Sequence, residues 1–252
     1  MTTRVVWWVR FGAVLRFEVR AQWRDPLTTL YVLVFGLLSL GYASSDAVEL
    51  VTNRGAVPRT ASWALMLAFG GLTAFGQVIT TMITTTAMLR DEAQRTRALV
   101  ATSGIAPVTW FTARVGAALL IMLAVYAAIP LGVCLGAALR SEALLDAVLG
   151  ATRAYLVMTV PTMITVTLLL ASAALYTQRV LGVLAMALLL VGVWQAALSL
   201  VGSEHMGVVA GLLDPFGNAP VLVVTRAWTE GERMVRLVPV DGLVLSNRAL
   251  WL

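Results

Sequence analysis

The chain has 252 residues, 60% of them hydrophobic and 12% charged, with a formal net charge of +5, a mean hydropathy of +0.87 and a pI of about 10.1. Ordinary soluble domains carry about a quarter charged residues, and a soluble fold of this length could not bury so much apolar surface, so the implied solvent is lipid. All 18 basic residues are Arg, which excludes a P-loop and any Lys-based catalysis, while a single Cys (Cys134) and a single His (His205) exclude an intrachain disulfide and a Cys/His zinc cluster.

Residues 4–25 show helical periodicity. Trp8, Phe11, Leu15, Val19 and Trp23 share one face, and Arg16, Arg20 and Arg24 line the next. This predicts an amphipathic helix lying in the headgroup plane, stopped before Pro26. The plainer reading, a basic flank that only sets topology, is compatible with it.

Five uncharged runs then reach spanning length, about 20 residues for the hydrocarbon core. They are residues 27–43, the stretches between Arg59 and Arg90, Arg114 and Arg140, and Arg153 and Arg179, and residues 180–203. In the second, Thr73, Gln77, Thr80, Thr81 and Thr84 fall within one helical sector. Polar groups at membrane depth face protein or a water-filled cavity, so the stripe reads either as path or subunit-interface lining or as ordinary packing with back-bonded hydroxyls. Packing is the better reading for the single Thr residues, and the two are even for Gln77. Gly132-x-x-x-Gly136 in the third run permits close helix approach. Pro130 and Pro161 predict kinks in the third and fourth runs. No charged residue falls inside the five runs, which argues against an ion-coupled carrier.

Between the second and third runs, residues 90–114 begin with a charged, helix-competent stretch. Asp91 and Glu92 stand about one turn from Arg95, and Leu99 and Val100 form an apolar knob before Pro107. A protruding helix of this kind can dock in a groove of a soluble partner. Composition alone favours a solvated loop with positive-inside charge.

Arg placement orients the chain. Arg4, Arg10, Arg16, Arg20, Arg24, Arg90, Arg95, Arg97, Arg114 and Arg179 fall on one side, against Arg54, Arg59, Arg140 and Arg153 in the complete loops of the other. This places the N-terminus in the cytoplasm and residues 204–252 outside. There, Asp214-Pro215 predicts a helix start and Thr229-x-x-Glu232 has capping-box spacing, giving two short helices near the interface. Asn247, Arg248 and Trp251 read as an interfacial anchor at the threshold of a sixth span, so the chain reads as a truncated product or part of a longer protein. The alternative is an amphipathic helix lying on the outer surface. The expected fold is therefore an all-α polytopic membrane protein with an interfacial helix (1–26), five complete transmembrane helices (27–203) and an outer segment (204–252), the sixth span missing. His205 reads as a loop residue and Cys134 as a packing residue.

The 90–114 loop resembles that of the permease subunits of type-2 ABC transporters, through Arg90-Asp91-Glu92, Arg95, Leu99 to Ser103, and Pro107. The N-terminal segment, Phe17-Glu18-Val19-Arg20 through Arg24-Asp25-Pro26, is similar too. The outer segment is the more specific match: Asp214-Pro215-Phe216-Gly217, Thr225-Arg226-Ala227-Trp228-Thr229, Glu232-Arg233, Leu237-Val238-Pro239, Gly242 and Asn247-Arg248-Ala249-Leu250-Trp251. It resembles a subgroup in which some members carry an extracytoplasmic peptidase-like domain. Met234 departs from the polar residue expected there.

The resemblance implies an exporter-type permease in a bacterial inner membrane. A separate ATP-binding subunit would hold the ATP, with no cofactor on this chain, and a second permease unit, identical or not, would complete the path. Arg20, Arg24, Arg90, Asp91, Glu92, Arg95 and Leu99 would contact the ATP-binding subunit. Lipid is the other partner; nucleic acid is not expected. Two rivals are a non-transporting membrane anchor and a membrane-embedded enzyme. Against the enzyme, no paired intramembrane carboxylates, no G-x-S-x-G and no metal set are present in the sequence.

Overall fold

The computed structural model describes residues 2–45, 57–94, 102, 104–141 and 143–252, and every regular element among them is helical. The first two helices are α1 (Thr2–Trp23) and α2 (Pro26–Ser44). The Asp25 carboxylate accepts a hydrogen bond from the Leu27 N–H at 3.0 Å. Pro26 takes the first helical position, where its missing N–H costs nothing. The stop expected at Pro26 is thus also the start of the next helix.

Helix α1 turns toward the bundle a face other than the aromatic one, which the sequence points into lipid. Its buried strip is Val14, Glu18 and Gln22, one turn apart. Of the expected apolar face, Phe11, Leu15 and Val19 are half-buried beside this strip, while Trp8 and Trp23 are exposed. Phe17 is exposed as well. The helix is apolar on several sides, and the position of one carboxylate decides which side meets the bundle.

Helix α2 packs along α6 (Ala128–Leu139), the continuation of α5 (Pro107–Tyr126). Gly132 and Gly136 make this approach possible. A Cβ on Gly132 would overlap Ser39 Oγ, and one on Gly136 would lie 2.5 Å from the Ala43 Cβ. The glycine pair therefore joins two helices of one chain.

The second uncharged run is a bent pair, α3 (Ser62–Phe75) and α4 (Gln77–Ala93), breaking at Gly76. The spanning portions, Ser62–Phe75 and Gln77–Glu92, meet at 45°. Gly76 has an ordinary helical φ of −71°, but a Cβ there would overlap Tyr126 Oη and Phe35 Cζ. The bend follows from what packs against Gly76, so hydropathy could not register it.

The α5–α6 join at Ala127 lies just before Pro130, which cannot donate to the Tyr126 carbonyl. The next helix, α7 (Leu144–Ala154), passes through a π-helical turn (Tyr155–Thr159) into α8 (Val160–Thr177). The extra residue falls just ahead of Pro161, where the helix already lacks one donor. Helix α9 (Val180–Leu200) follows.

Among the described residues, four helices are long and apolar enough to cross a membrane: Pro26–Ser44, Pro107–Leu139, Leu144–Thr177 and Val180–Leu200; the bent pair makes a fifth if counted as one span. The helices outrun the uncharged runs. Arg90, Asp91 and Glu92 end α4, Arg114 sits two turns into α5, and Arg153 lies inside α7 rather than in a loop. Exposed Leu30, Leu33 and Leu37 on α2, Leu131 and Leu135 on α6, and Leu181 and Leu188 on α9 give an apolar outer wall suited to lipid.

The core has two parts. One gathers Phe35, Phe69, Ile121, Met122, Tyr126 and Met158; the other gathers Leu89, Val166, Leu170, Val183, Leu190 and Phe216. Phe216 belongs to the last segment, which folds as four short helices rather than two: α10 (Gly207–Leu213), α11 (Asn218–Val224), α12 (Glu230–Val235) and α13 (Leu243–Trp251).

Candidate functional site

At the end of the bundle where α4 stops and α5 starts, four charged side chains from three helices interlock. Glu18 Oε1 accepts from Arg90 Nη2 at 2.7 Å and from Arg114 Nε at 3.2 Å. Arg114 Nη2 also donates to Asp91 Oδ1 at 2.7 Å, and Trp110 Nε1 to Asp91 Oδ2 at 3.3 Å. The Arg114 guanidinium lies 4.7 Å from the Trp110 ring centroid, one turn back on the same helix face. Among the described residues, two carboxylates and two guanidinium groups balance in this cluster, which offsets part of the cost of burying Glu18. Glu18 is at its centre, with no solvent exposure, while the Arg90 side chain keeps 20%.

Local sequence positions each member. Arg90 and Asp91 are in the last turn of α4, where a cation suits the negative end of the helix dipole. Pro107 opens α5, so Trp110 and Arg114 point from its first turns. Glu18 rides on the inward strip of α1. A further tie is Arg10 Nη1, which donates to the Gly104 carbonyl at 2.9 Å; Gly104 itself has φ +68°, a left-handed conformation.

Beside the cluster lies a cavity of about 420 Å³, walled by Met88, Trp110, Phe111 and Leu175, with Asp91, Glu92 and Arg114 on its polar side. Its size suits a small ligand or an inserted side chain.

Of the residues singled out in the sequence, Arg90 and Asp91 are in this cluster and Glu92 is on the cavity wall. Arg20 on α1 and Arg24 in the turn that follows it are exposed and outside the cluster. Arg95 and Leu99 lie outside the described residues. Sequence reasoning missed Glu18, Trp110 and Arg114 as a unit. The available signal was Glu18 itself, the one acid among residues 1–24.

The polar stripe of the second run is buried inside the chain's own packing. Thr73 bonds the Phe69 carbonyl at 2.6 Å and meets Thr159 Oγ1 at 3.3 Å. Gln77 Nε2 reaches across to the Ala187 carbonyl of α9 at 2.8 Å. Thr80 Oγ1 lies 3.1 Å from Tyr126 Oη, and Thr81 back-bonds to Gln77 at 2.8 Å. Thr84 is fully buried.

At the other end of the bundle, the two outer-segment motifs are parts of one knot. Asp214 accepts from the Phe216 and Ala219 N–H groups at 2.7 and 2.6 Å. It therefore caps α11, which starts at Asn218, instead of starting a helix at Pro215. Asn247 and Arg248, expected at an interface, are instead buried. Asn247 Nδ2 donates to the carbonyls of Gly211 and Asp214 at 2.8 Å and Leu212 at 3.1 Å, closing the end of α10. Arg248 Nε donates to Asn247 Oδ1 and Nη1 to Thr162 Oγ1 of α8, each at 2.8 Å. Gly217, at φ +86°, is needed because a Cβ there would overlap Arg248 Nη2. Trp251 Nε1 donates to the Leu212 carbonyl at 3.0 Å, and Thr165 Oγ1 of α8 donates to the Trp251 carbonyl at 2.7 Å. Thr165 is about 18 Å along α8 from Thr177, so α13 meets α8 near its start and away from its C-terminal end. The expected capping box is present, with Thr229 and Glu232 bonding each other's backbone N–H groups; the donors from Thr229 hold the Glu232 carboxyl below its ordinary range.

Among the described residues, no three His, Cys, Asp or Glu side chains come together to hold a metal ion. No family model, curated protein or solved structure matches the chain.

Proposed function

We propose that this chain is the transmembrane subunit of a type-2 ABC transporter, an exporter, driven by a separate ATP-binding subunit and working with a second permease unit in a bacterial inner membrane, N-terminus inside. The observation that carries the reading is the four-charge cluster. Glu18, Arg90, Asp91 and Arg114 bind α1 to the ends of α4 and α5, the two helices that flank residues 95–101. A push on residues 95–101 by a partner would pass through directional ionic contacts into three helices at once. Helix α4 then delivers it to the bend at Gly76. ATP chemistry belongs to the partner, consistent with the missing Lys. On α9, Gly192 has open space around it and Gln195 is exposed, a surface suited to a second unit.

The test is co-purification of the full chain with its ATP-binding subunit, and stimulation of that subunit's ATPase, comparing wild type with Arg95→Glu and Leu99→Asp. The expected result is lost binding or lost stimulation in both variants. Normal binding and stimulation in both would overturn the coupling role. A complex that forms without ATP-driven transport in vesicles would identify a membrane anchor instead.

A further inference from the structure

The seam between α4 and α8 contains two hydroxyls that behave unlike their neighbours. Thr73, Thr81, Thr162, Thr165 and Thr177 all donate to the carbonyl one turn earlier in their own helices, at 2.6 to 3.1 Å. Thr84, Thr85 and Thr167 do not, and their hydroxyls make no hydrogen bond with any described residue. Thr85 is half-buried, one position off the face that carries Thr80 and Thr84, whereas Thr84 and Thr167 are fully buried.

Their positions match across the seam. Thr80 meets Met163, 83 residues on, and further along Met88 and Leu89 share a cavity wall with Ala174 and Leu175, 86 residues on. Contacts that advance together along both helices mean that α4 and α8 run in the same direction. Extending the register by one turn puts Thr84 opposite positions 167 to 170, and Thr167 is the inward polar residue there. A buried hydroxyl without a partner costs about 1–3 kcal/mol. Two such hydroxyls in one seam, each able to back-bond and neither doing so, indicate a shared partner.

We propose that Thr84 and Thr167 hold one buried water molecule between α4 and α8. Water is the class of ligand that fits, because it donates and accepts and so can serve two hydroxyls at once. A metal cation would need several more oxygen ligands, and no carboxylate is on either helix at this level. The proposal goes beyond the transport reading and does not depend on it.

Thr→Val substitutions test it, because they keep shape and remove only the hydroxyl. Full-length wild type, Thr84→Val, Thr167→Val, the double variant and Thr81→Val are purified in detergent and their thermal midpoints compared at one scan rate. Each single substitution at 84 or 167 is expected to lower the midpoint by about 2–4 °C. The double variant should fall no further than the worse single, since one water is lost once. An unchanged or raised midpoint in either single variant would overturn the proposal, because deleting an unbonded buried hydroxyl relieves a penalty. Additive losses in the double variant, or an equal fall in Thr81→Val, would overturn it too.

Discussion

Glu18→Gln is the most informative single change in this chain. It keeps the side chain's size and one acceptor oxygen, and removes only the charge that Arg90 and Arg114 share. Two ion-pair hydrogen bonds, at 2.7 and 3.2 Å, become bonds from a charged guanidinium to a neutral amide oxygen. Each keeps its charged donor and weakens by about 1–1.5 kcal/mol, so the loss over both is about 2–3 kcal/mol. The figure falls below the roughly 3–5 kcal/mol for removing one partner of a sealed ion pair. The reason is that Arg114 keeps Asp91 and Trp110, while Arg90, at 20% exposure, can turn toward water. In a chain of this size that is a fall of roughly 5–10 °C in the unfolding midpoint, read by tryptophan fluorescence in detergent. Glu18→Gln combined with Arg90→Gln should recover part of the loss, because the pair disappears together. A Glu18→Gln protein as stable as wild type, or a double variant whose losses simply add, would refute the claim that this carboxylate organises the junction of α1, α4 and α5.

Gly76→Ala should destabilise by about 1–3 kcal/mol, since its Cβ would displace Tyr126 and Phe35; Tyr126→Phe in the same chain should restore part of the midpoint, and a neutral Gly76→Ala would mean that the bend tolerates a side chain. Asn247→Ala should cost about 1–3 kcal/mol by uncapping the end of α10, seen as faster proteolysis near residues 207–213; an unchanged digestion pattern would rule out the cap. The depressed Glu232 carboxyl adds stability to α12 that is present above the ordinary carboxylate range and lost as pH falls from that range through the depressed value. Amide protection at residues 230–235, corrected for the intrinsic slowing of exchange in acid, should therefore fall as pH drops, and Glu232→Gln should remove that dependence.

Several local features were legible without coordinates. Apolar run length located the long apolar helices, because a run too apolar for water folds most readily as a closed hydrogen-bonded helix. Asp25-Pro26 and Thr229 to Glu232 announced helix starts, because capping is chemistry between near neighbours. Asp214-Pro215 misled, although the cap is real. The carboxylate reaches past the turn to Ala219, and only the turn's path, through Gly217, decides that. The polar stripe from Thr73 to Thr84 was visible as a sector, but its neighbours were not.

The composition, with its excess of apolar residues and its Arg-only basic set, determined a helical, lipid-adapted chain by itself, because that conclusion needs only sums and local periodicity. Tertiary structure decided the rest. It turned Glu18 inward, set the bend at Gly76 against Tyr126 and Phe35, and folded Asn247 and Arg248 into the knot with Asp214 and Thr162. The physical reason is common to all three. In a chain apolar on every side, hydrophobicity does not say which helix face meets which, so the few polar groups and the close approaches at glycine make that choice across distances no sequence window spans.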